Sequence, residues 1–151
     1  MITTTRKEAV TLIEESINNI IPLEDERLEK VIYAVNNDLA VRDWVLGMPN
    51  RFTLEESIDF VRYMAVHTTA LDSVPFITIN AVFEYERGNR DRAILMIDYV
   101  NAVNDRYPLA QLITRTFDAG WAPEMFAQMR QELDAKVMED CNDELIGEED
   151  N

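Results

Sequence analysis

Apolar residues recur at three- and four-residue intervals along almost the whole chain, and few residues interrupt this pattern. The series Leu28, Val31, Ile32 and Val35 has the i, i+3, i+4, i+7 spacing that places side chains on one face of an α-helix. Only four glycines and five prolines occur in 151 residues, and the alternating apolar and polar pattern of a half-buried strand is absent. The sequence therefore predicts an all-α fold, a single domain of seven or eight helices packed as antiparallel α/α hairpins.

Two of the predicted helices begin with a threonine that is followed three positions later by a glutamate. These pairs are Thr5 with Glu8 and Thr53 with Glu56. In such a capping box the threonine hydroxyl and the glutamate carboxylate each accept a hydrogen bond from a backbone N–H that the helix leaves unpaired. Both helix starts are therefore specified by local sequence.

One helix in the middle of the chain is apolar on nearly every side until Glu84. We expect Asp72 or Ser73 to cap it and Pro75 to lie in its first turn, where the missing N–H of proline costs nothing. A helix that is apolar all round is typically buried between several neighbours. The pattern therefore predicts that this helix is the centre of the fold.

The segment from residue 74 to residue 105 reads as two helices joined by a tight turn at Gly88, a residue that readily adopts left-handed backbone angles. The second helix has a predicted core stripe of Ala93, Ile94, Ile97, Val100 and Val103. This hairpin loosely resembles one tetratricopeptide repeat, although the proline that ends such a repeat comes three positions late, at Pro108. No second copy follows at a period of 34 residues, so the resemblance implies α/α packing and no solenoid.

The formal net charge is −15, and the last twenty residues hold about half of the acidic excess. Residues 132–151 contain nine acidic residues and one basic residue, a charge of −8, which leaves −7 for residues 1–131. This distribution predicts a helical domain over residues 1–138 and an acidic, disordered tail over residues 139–151. A strongly negative chain repels DNA, RNA and anionic lipid, so direct binding to nucleic acid or to a membrane is not expected.

The composition also favours a cytoplasmic location. The single cysteine, Cys141, cannot form an internal disulfide, and no apolar run approaches the roughly 20 residues that span a bilayer. The first residues lack the uninterrupted apolar stretch of a signal peptide. The oligomeric state stays open, with a homo-oligomer as one alternative.

No arrangement of residues predicts catalysis, a cofactor or a metal ion. His67 is the only histidine, and no nucleophile elbow, P-loop or zinc-protease motif accompanies it, so we expect a structural or surface role. Acidic clusters such as residues 24–26 and 55–56 lie at predicted helix starts, where carboxylates complement the helix dipole, and the calcium-loop motif is absent. The sequence therefore predicts a protein that is not an enzyme.

Four side chains are the candidates for contact with a partner protein. Arg87, Arg90 and Arg92 surround the Gly88 turn, where arginines could bind carboxylates in a bidentate manner. Interleaved acids favour a simpler interpretation of the same residues, a nearly neutral turn with salt bridges in solvent. Trp121 lies at a predicted helix end and becomes a candidate if it is exposed.

Residues 41–134 resemble the C-terminal portion of the actinobacterial domain-of-unknown-function 4192 family. The resemblance depends on the order and spacing of Arg42-Asp43, Val45-Leu46, Gly88-Asn89, Ala93, the run from Tyr107 to Ile113, Ala119-Gly120 and Pro123. The chain departs from the family by lacking its longer N-terminal portion and by Asn89, where the family has aspartate. The resemblance implies a helical fold and an actinobacterial or bacteriophage source, and it implies no activity.

Three functions from different classes remain open. The leading hypothesis is a non-enzymatic interaction module that binds another protein through a helical face between residues 74 and 119 or through the acidic tail. The alternative is an acidic DNA mimic that inhibits a nucleic-acid-binding protein of the host, which requires acids arrayed on one surface at phosphate-like spacing. The third is an enzyme whose site needs only carboxylates and arginines.

Overall fold

The structure, a computed structural model, describes residues 2–140 and 143–147. Within these residues the chain forms eight α-helices and one short 3-10 turn, and no extended strand. The helices are α1 (Arg6–Asn18), α2 (Asp25–Asn37), α3 (Leu39–Leu46), α4 (Leu54–Val66), α5 (Ala70–Glu86), α6 (Arg90–Val103), α7 (Pro108–Asp118) and α8 (Pro123–Asp140). The prediction of an all-α fold with seven or eight helices is confirmed.

The contacts of the chain group into two compact units. One unit comprises residues 1–47 together with residues 132–151, and the other comprises residues 48–131. The sequence predicts one helical domain over residues 1–138, because the chain has the usual length of a single domain. The first boundary follows Gly47, which the sequence marks only as a helix end, and the second lies inside α8.

In the unit formed by residues 1–47 and 132–151, α1 packs against α2 and α3, and α2 also packs against α3. Among the described residues, the buried apolar side chains of this unit come from all three helices and from the α1–α2 connection. They are Ala9, Ile13, Leu23, Val31, Ala34, Val35, Val41, Trp44, Val45 and Leu46. A bidentate ion pair joins Arg6 of α1 to Asp38, the N-cap of α3, at 2.8 and 2.9 Å.

The first predicted capping box is half formed. The Thr5 hydroxyl accepts a hydrogen bond from the Glu8 N–H at 3.0 Å, as predicted. The Glu8 carboxylate accepts hydrogen bonds from the Thr4 hydroxyl at 2.8 Å and from Lys30 of α2 at 3.1 Å. Burial raises the pKa of Glu8, but these two donors and the charge of Lys30 outweigh it and hold the pKa below its ordinary value.

Five residues of the predicted acidic tail, 143–147, lie against the start of the chain. Leu145 forms an isolated antiparallel bridge with Thr5, and the Ile146 N–H donates to the Thr4 carbonyl at 2.9 Å. The acid content of this segment predicts disorder, but Leu145, Ile146 and Gly147 interrupt the acids and allow a local pairing. The prediction of disorder for residues 141, 142 and 148–151 lies outside the described residues.

In the unit formed by residues 48–131, α5 occupies the predicted central position. It packs against α4, α6 and α7, and α6 also packs against α7. Twelve of its seventeen residues are buried, among them Phe76 and Phe83. A helix surrounded on several sides has no polar face, which explains the continuous apolar sequence.

The start of α5 differs from the sequence prediction. Thr69 caps the helix, and its hydroxyl accepts a hydrogen bond from the Asp72 N–H at 3.2 Å. The helix therefore begins at Ala70, and Pro75 lies inside it, in the second turn. Because proline has no N–H, the carbonyl four residues earlier, at the exposed Leu71, loses its intrahelical donor. The sequence does not distinguish Thr69 from Asp72 and Ser73, since all three are common capping residues.

Candidate interaction surface

The turn between α5 and α6 is a Schellman motif centred on Gly88. Gly88 has a φ of +99°, the Asn89 N–H donates to the Glu84 carbonyl at 2.9 Å, and the Gly88 N–H donates to the Tyr85 carbonyl at 3.1 Å. This pair of hydrogen bonds closes the helix end and needs left-handed backbone angles at the glycine. The predicted role of Gly88 is confirmed.

Replacing Gly88 by alanine is expected to lower the free energy of unfolding by about 1–2 kcal/mol, because a side chain disfavours the left-handed conformation. No heavy atom lies within 4 Å of the position where a Cβ would stand, so the loss comes from the backbone and not from a clash. Urea unfolding followed by circular dichroism measures the change. Asparagine tolerates these angles, so the Gly88→Asn variant should lose less; equal losses for both variants would contradict this account.

The carboxylate of Glu84 is buried beneath this turn, with 1% of its surface exposed. Its two oxygens accept hydrogen bonds from Arg87 at 2.6 Å and from the Asn89 side chain at 2.9 Å. Arg87 also donates to both oxygens of Glu55 on α4, at 2.9 and 3.1 Å. The hydrogen bonds to Glu55 and Glu84 raise the pKa of Arg87 above its ordinary value. Arg87 therefore joins α4 to α5.

Arg90 and Arg92, in the first turn of α6, are exposed. Within the described part of the chain neither of them forms an ion pair. The three predicted arginines are thus not equivalent, since Arg87 is committed to two carboxylates of its own unit and the other two face solvent. Contact of any of the three with a partner stays a prediction.

Trp121, the fourth candidate, is half-buried at the edge of an aromatic cluster. Its ring centroid lies 5.2 Å from that of Phe126, and its carbonyl accepts a hydrogen bond from the Tyr85 hydroxyl at 2.5 Å. Tyr85 stacks on Phe117 with centroids 4.4 Å apart, and Phe126 meets both rings edge-on. The indole therefore covers the cluster, and a role for Trp121 in partner binding stays a prediction.

A buried ion pair joins the end of α5 to α8. The Arg130 guanidinium donates a hydrogen bond to the Glu86 carboxylate, and both side chains are almost fully removed from solvent. Arg130 also lies over the Phe83 ring, 5.9 Å from its centroid. Burial raises the pKa of Glu86, and the hydrogen bond and charge of Arg130 oppose that rise.

His67 is the exposed C-cap residue of α4. Its Nδ1 lies 2.8 Å from the Tyr63 carbonyl, and its ring stacks on Tyr63 with centroids 4.0 Å apart. Within the described residues no three histidine, cysteine, aspartate or glutamate side chains are grouped so as to hold a metal ion. In the described part of the chain the carboxyl groups with a displaced pKa are Glu8 and Glu86, which belong to different units, and each contacts a cation.

The outward face of α6 carries apolar residues that nothing in the described chain covers. Leu95 is 68% exposed and Tyr99 is 47% exposed, and both lie opposite the buried residues Ala93, Ile97 and Val100. Their spacing of four residues places them side by side along the helix. We call the exposed residues Asp91, Arg92, Leu95, Asp98, Tyr99 and Ala102 the outer face of α6.

Sequence analysis does not single out this face. It assigns Ile94 to the core stripe, whereas Ile94 is 38% exposed at the margin of the buried side. Leu95, Tyr99 and Ala102 form a second series, spaced i, i+4, i+7, on the side of the helix that the predicted core stripe leaves free. A search for apolar residues on the polar side of each predicted helix would have found them.

Comparisons with known proteins identify no relative of this chain. The chain matches no protein-family model, and no curated protein or solved structure is significantly similar to it. The resemblance to the domain-of-unknown-function 4192 family therefore stays a prediction. Within the described residues, no helix combines the length and apolar character that crossing a membrane requires.

Proposed function

We propose that this chain is a non-enzymatic protein–protein interaction module and that the outer face of α6 is its contact surface. The observation that carries the proposal is the exposure of Leu95 and Tyr99 on the side of α6 opposite its buried residues. Tyrosine is among the residues that most often dominate interface energies, because it combines a large apolar ring with a hydrogen-bonding hydroxyl. Charged side chains border the two apolar ones, as at the polar rim of an interface.

A protein partner suits this surface better than a nucleic acid or a lipid. The chain has a net charge of −15, which opposes approach to anionic polymers and anionic membranes. The outer face itself combines two acids with one arginine and so has no cationic excess. Its apolar centre is the part that association with another protein would remove from water.

The acidic DNA-mimic alternative has weaker support. A mimic needs carboxylates that are free to present phosphate-like charge, but several acids of the helical units are neutralised by cations of the same unit. These acids are Glu8, Glu15, Asp38, Glu55, Glu84 and Glu86. By sequence, residues 132–151 hold −8 of the net charge of −15, so about half of the acidic excess lies outside residues 1–131.

The proposed setting is the cytoplasm of an actinobacterium, with the chain encoded by the host or by a phage. The single cysteine fits a reducing compartment, and the resemblance to the actinobacterial domain-of-unknown-function 4192 family supports the source. The partner is then a protein present in such a cell, or a second copy of this chain.

Site-specific photo-crosslinking tests the contact surface. A photoreactive amino acid replaces Leu95 in one variant and Leu112 of α7, which is 49% exposed, in a matched control. After irradiation in actinobacterial lysate, position 95 should give discrete adducts with polypeptide, and position 112 should give few. Excess wild-type protein should suppress the adducts, and excess Tyr99→Asp variant should not. Equal labelling at the two positions, or no adduct at position 95, would overturn the proposal.

A further inference from the structure

We propose that residues 145–147 are an internal ligand that closes a peptide-binding edge at Thr4 and Thr5, and that an extended segment of a partner protein binds this edge when the internal ligand leaves. We call residues 145–147 the strap. The partner segment has the pattern of the strap, two adjacent apolar residues followed by a glycine. Edge and strap both belong to the unit formed by residues 1–47 and 132–151, so the inference is independent of the outer face of α6, which belongs to the other unit.

The edge is a short stretch of extended backbone directly before α1. Thr5, the N-cap of α1, has a φ of −109° and a ψ of 163°, which are angles of the β region. It pairs with Leu145 in an antiparallel bridge, and the Thr4 carbonyl accepts a hydrogen bond from the Ile146 N–H at 2.9 Å. An extended backbone edge binds a strand that offers its donors in register, so the same groups accept a peptide of another protein by strand addition.

Contacts outside the strap hold the edge in place. The Thr4 hydroxyl donates to the Glu8 carboxylate at 2.8 Å, and the same carboxylate accepts a hydrogen bond from Lys30 of α2 at 3.1 Å. The Thr5 hydroxyl accepts from the Glu8 N–H at 3.0 Å. These bonds tie both edge residues to α1 and α2, so the Thr4 carbonyl keeps its position when the strap leaves. A preformed acceptor of this kind lowers the entropy loss of binding.

The strap, by contrast, lies at the surface. Leu145 is 39% exposed, and Ile146 and Gly147 are only partly buried. Burial of apolar surface is the main force that holds a short segment in place, and each strap residue keeps part of its surface in water. Asp143 and Glu144, which precede the strap, are exposed as well. A fixed edge and a shallowly seated segment together make a contact that opens locally without unfolding of the helices.

Tyr33 of α2 selects the residue at the end of the strap. Gly147 has a φ of +93°, and a Cβ at this position would lie 2.8 Å from the Tyr33 hydroxyl oxygen. A side chain there would have to displace the phenol and also adopt left-handed angles, which L-residues disfavour. The glycine therefore distinguishes the partner segment from other extended apolar segments.

Two variants of the full-length chain open the edge by different means. Ile146→Pro removes the N–H that the Thr4 carbonyl accepts. Gly147→Val places a side chain against Tyr33. Asp143→Asn is the matched control, because Asp143 is exposed and stands outside the strap. Thermal unfolding followed by circular dichroism verifies that each variant is folded.

A peptide titration followed by nuclear magnetic resonance at the Thr5 amide measures access to the edge. The probe is the acetylated and amidated peptide Asp-Glu-Leu-Ile-Gly, and a control peptide of equal charge has proline in place of isoleucine. Because the contact is small, we expect the opened variants to bind the probe with a dissociation constant of roughly millimolar order. The wild type and the Asp143→Asn variant should bind it at least about threefold more weakly, the effect of an edge that is open about one-third of the time or less. The control peptide, which lacks the donor for the Thr4 carbonyl, should bind the opened variants at least about threefold more weakly than the probe does.

Hydrogen exchange of the Ile146 amide tests the strap itself. This amide should exchange at least about threefold more slowly in the wild type than in the Gly147→Val variant, because the closed strap protects it. Equal exchange in the two proteins would show that the strap does not close the edge and would refute the inference.

Two binding results would also refute it. One is probe binding to the wild type that matches binding to the opened variants within about threefold. The other is a proline-containing control peptide that binds the opened variants as well as the probe does. Crosslinking at position 95 is unaffected by any of these results, so the proposed function is tested separately.

Discussion

The Phe126→Ala variant is expected to lose about 3–5 kcal/mol of the free energy of unfolding, the usual effect of removing a fully buried phenylalanine. The Phe126 side chain has no exposed surface. Its ring meets Tyr85 and Phe117 edge-on and lies beneath Trp121, so the truncation removes contacts with three aromatic rings. Phe126 is the single buried apolar residue within residues 123–131, so no other buried apolar side chain of this part of α8 can fill the cavity.

Met125 provides the matched control, because it precedes Phe126 on the same helix and is 41% exposed. The Met125→Ala variant should change the free energy of unfolding by less than about 1 kcal/mol. Urea unfolding followed by circular dichroism gives both values, and hydrogen exchange read by mass spectrometry locates the loss. Reduced protection in the Phe126→Ala variant should appear within residues 48–131. A loss below about 1 kcal/mol for Phe126→Ala would show that the cluster is not packed as described.

The Arg130→Met variant should also lose about 3–5 kcal/mol at pH 7, because it leaves the Glu86 carboxylate buried without its cation. Replacing both partners by methionine removes the uncompensated charge and should recover most of that loss. Arg115 of α7, which is exposed, is the control position, and the Arg115→Met variant should change stability by less than about 0.5 kcal/mol. A double variant no more stable than Arg130→Met would show that the arginine contributes through packing alone.

The loss in the Arg130→Met variant should depend on pH. Burial already raises the pKa of Glu86 above its ordinary value, and removal of Arg130 takes away the interactions that oppose this rise. A carboxyl group whose folded pKa exceeds its unfolded pKa binds more protons in the folded state, so stability falls as the pH rises through that interval. The difference between wild type and variant should therefore be smaller at pH 4.5 than at pH 7. A difference that is constant between these values would contradict burial of the ionised carboxylate.

Local interactions made the helix ends the most predictable part of the structure. Thr53 and Glu56 form the complete capping box, with hydrogen bonds of 2.9 and 3.0 Å between residues three positions apart. The end of α5 also depends on a local property, because Gly88 readily adopts the left-handed backbone angles that terminate the helix. Where several capping residues are adjacent, as at Thr69, Asp72 and Ser73, local preference leaves the choice open and packing of the helix decides it.

Ion pairs between distant residues could not be predicted in the same way. Arg87 binds Glu55, thirty-two positions earlier, and Arg130 binds Glu86, forty-four positions earlier. In an acidic chain each arginine could pair with many carboxylates. Which carboxylate it binds depends on which helices pack next to each other in the fold. The sequence therefore groups Arg87 with Arg90 and Arg92, whereas the fold pairs Arg87 with two carboxylates of its own unit and leaves the other two without an ion pair in the described residues.

The sequence by itself determined that the chain is helical, where most helices begin and end, and that α5 is buried on several sides. These properties depend on side chains within about one helical turn of each other and on apolar periodicity, which can be read from residue order. The core stripe predicted for α6 already leaves Leu95 and Tyr99 on the other side of the helix, but only the tertiary structure decided that no described helix covers that side and that the contacts divide at residues 47 and 131. Burial depends on which other helices pack against a face. Leu95 and Ile97 are both apolar, but the packing of the neighbouring helices buries Ile97 and leaves Leu95 exposed to solvent.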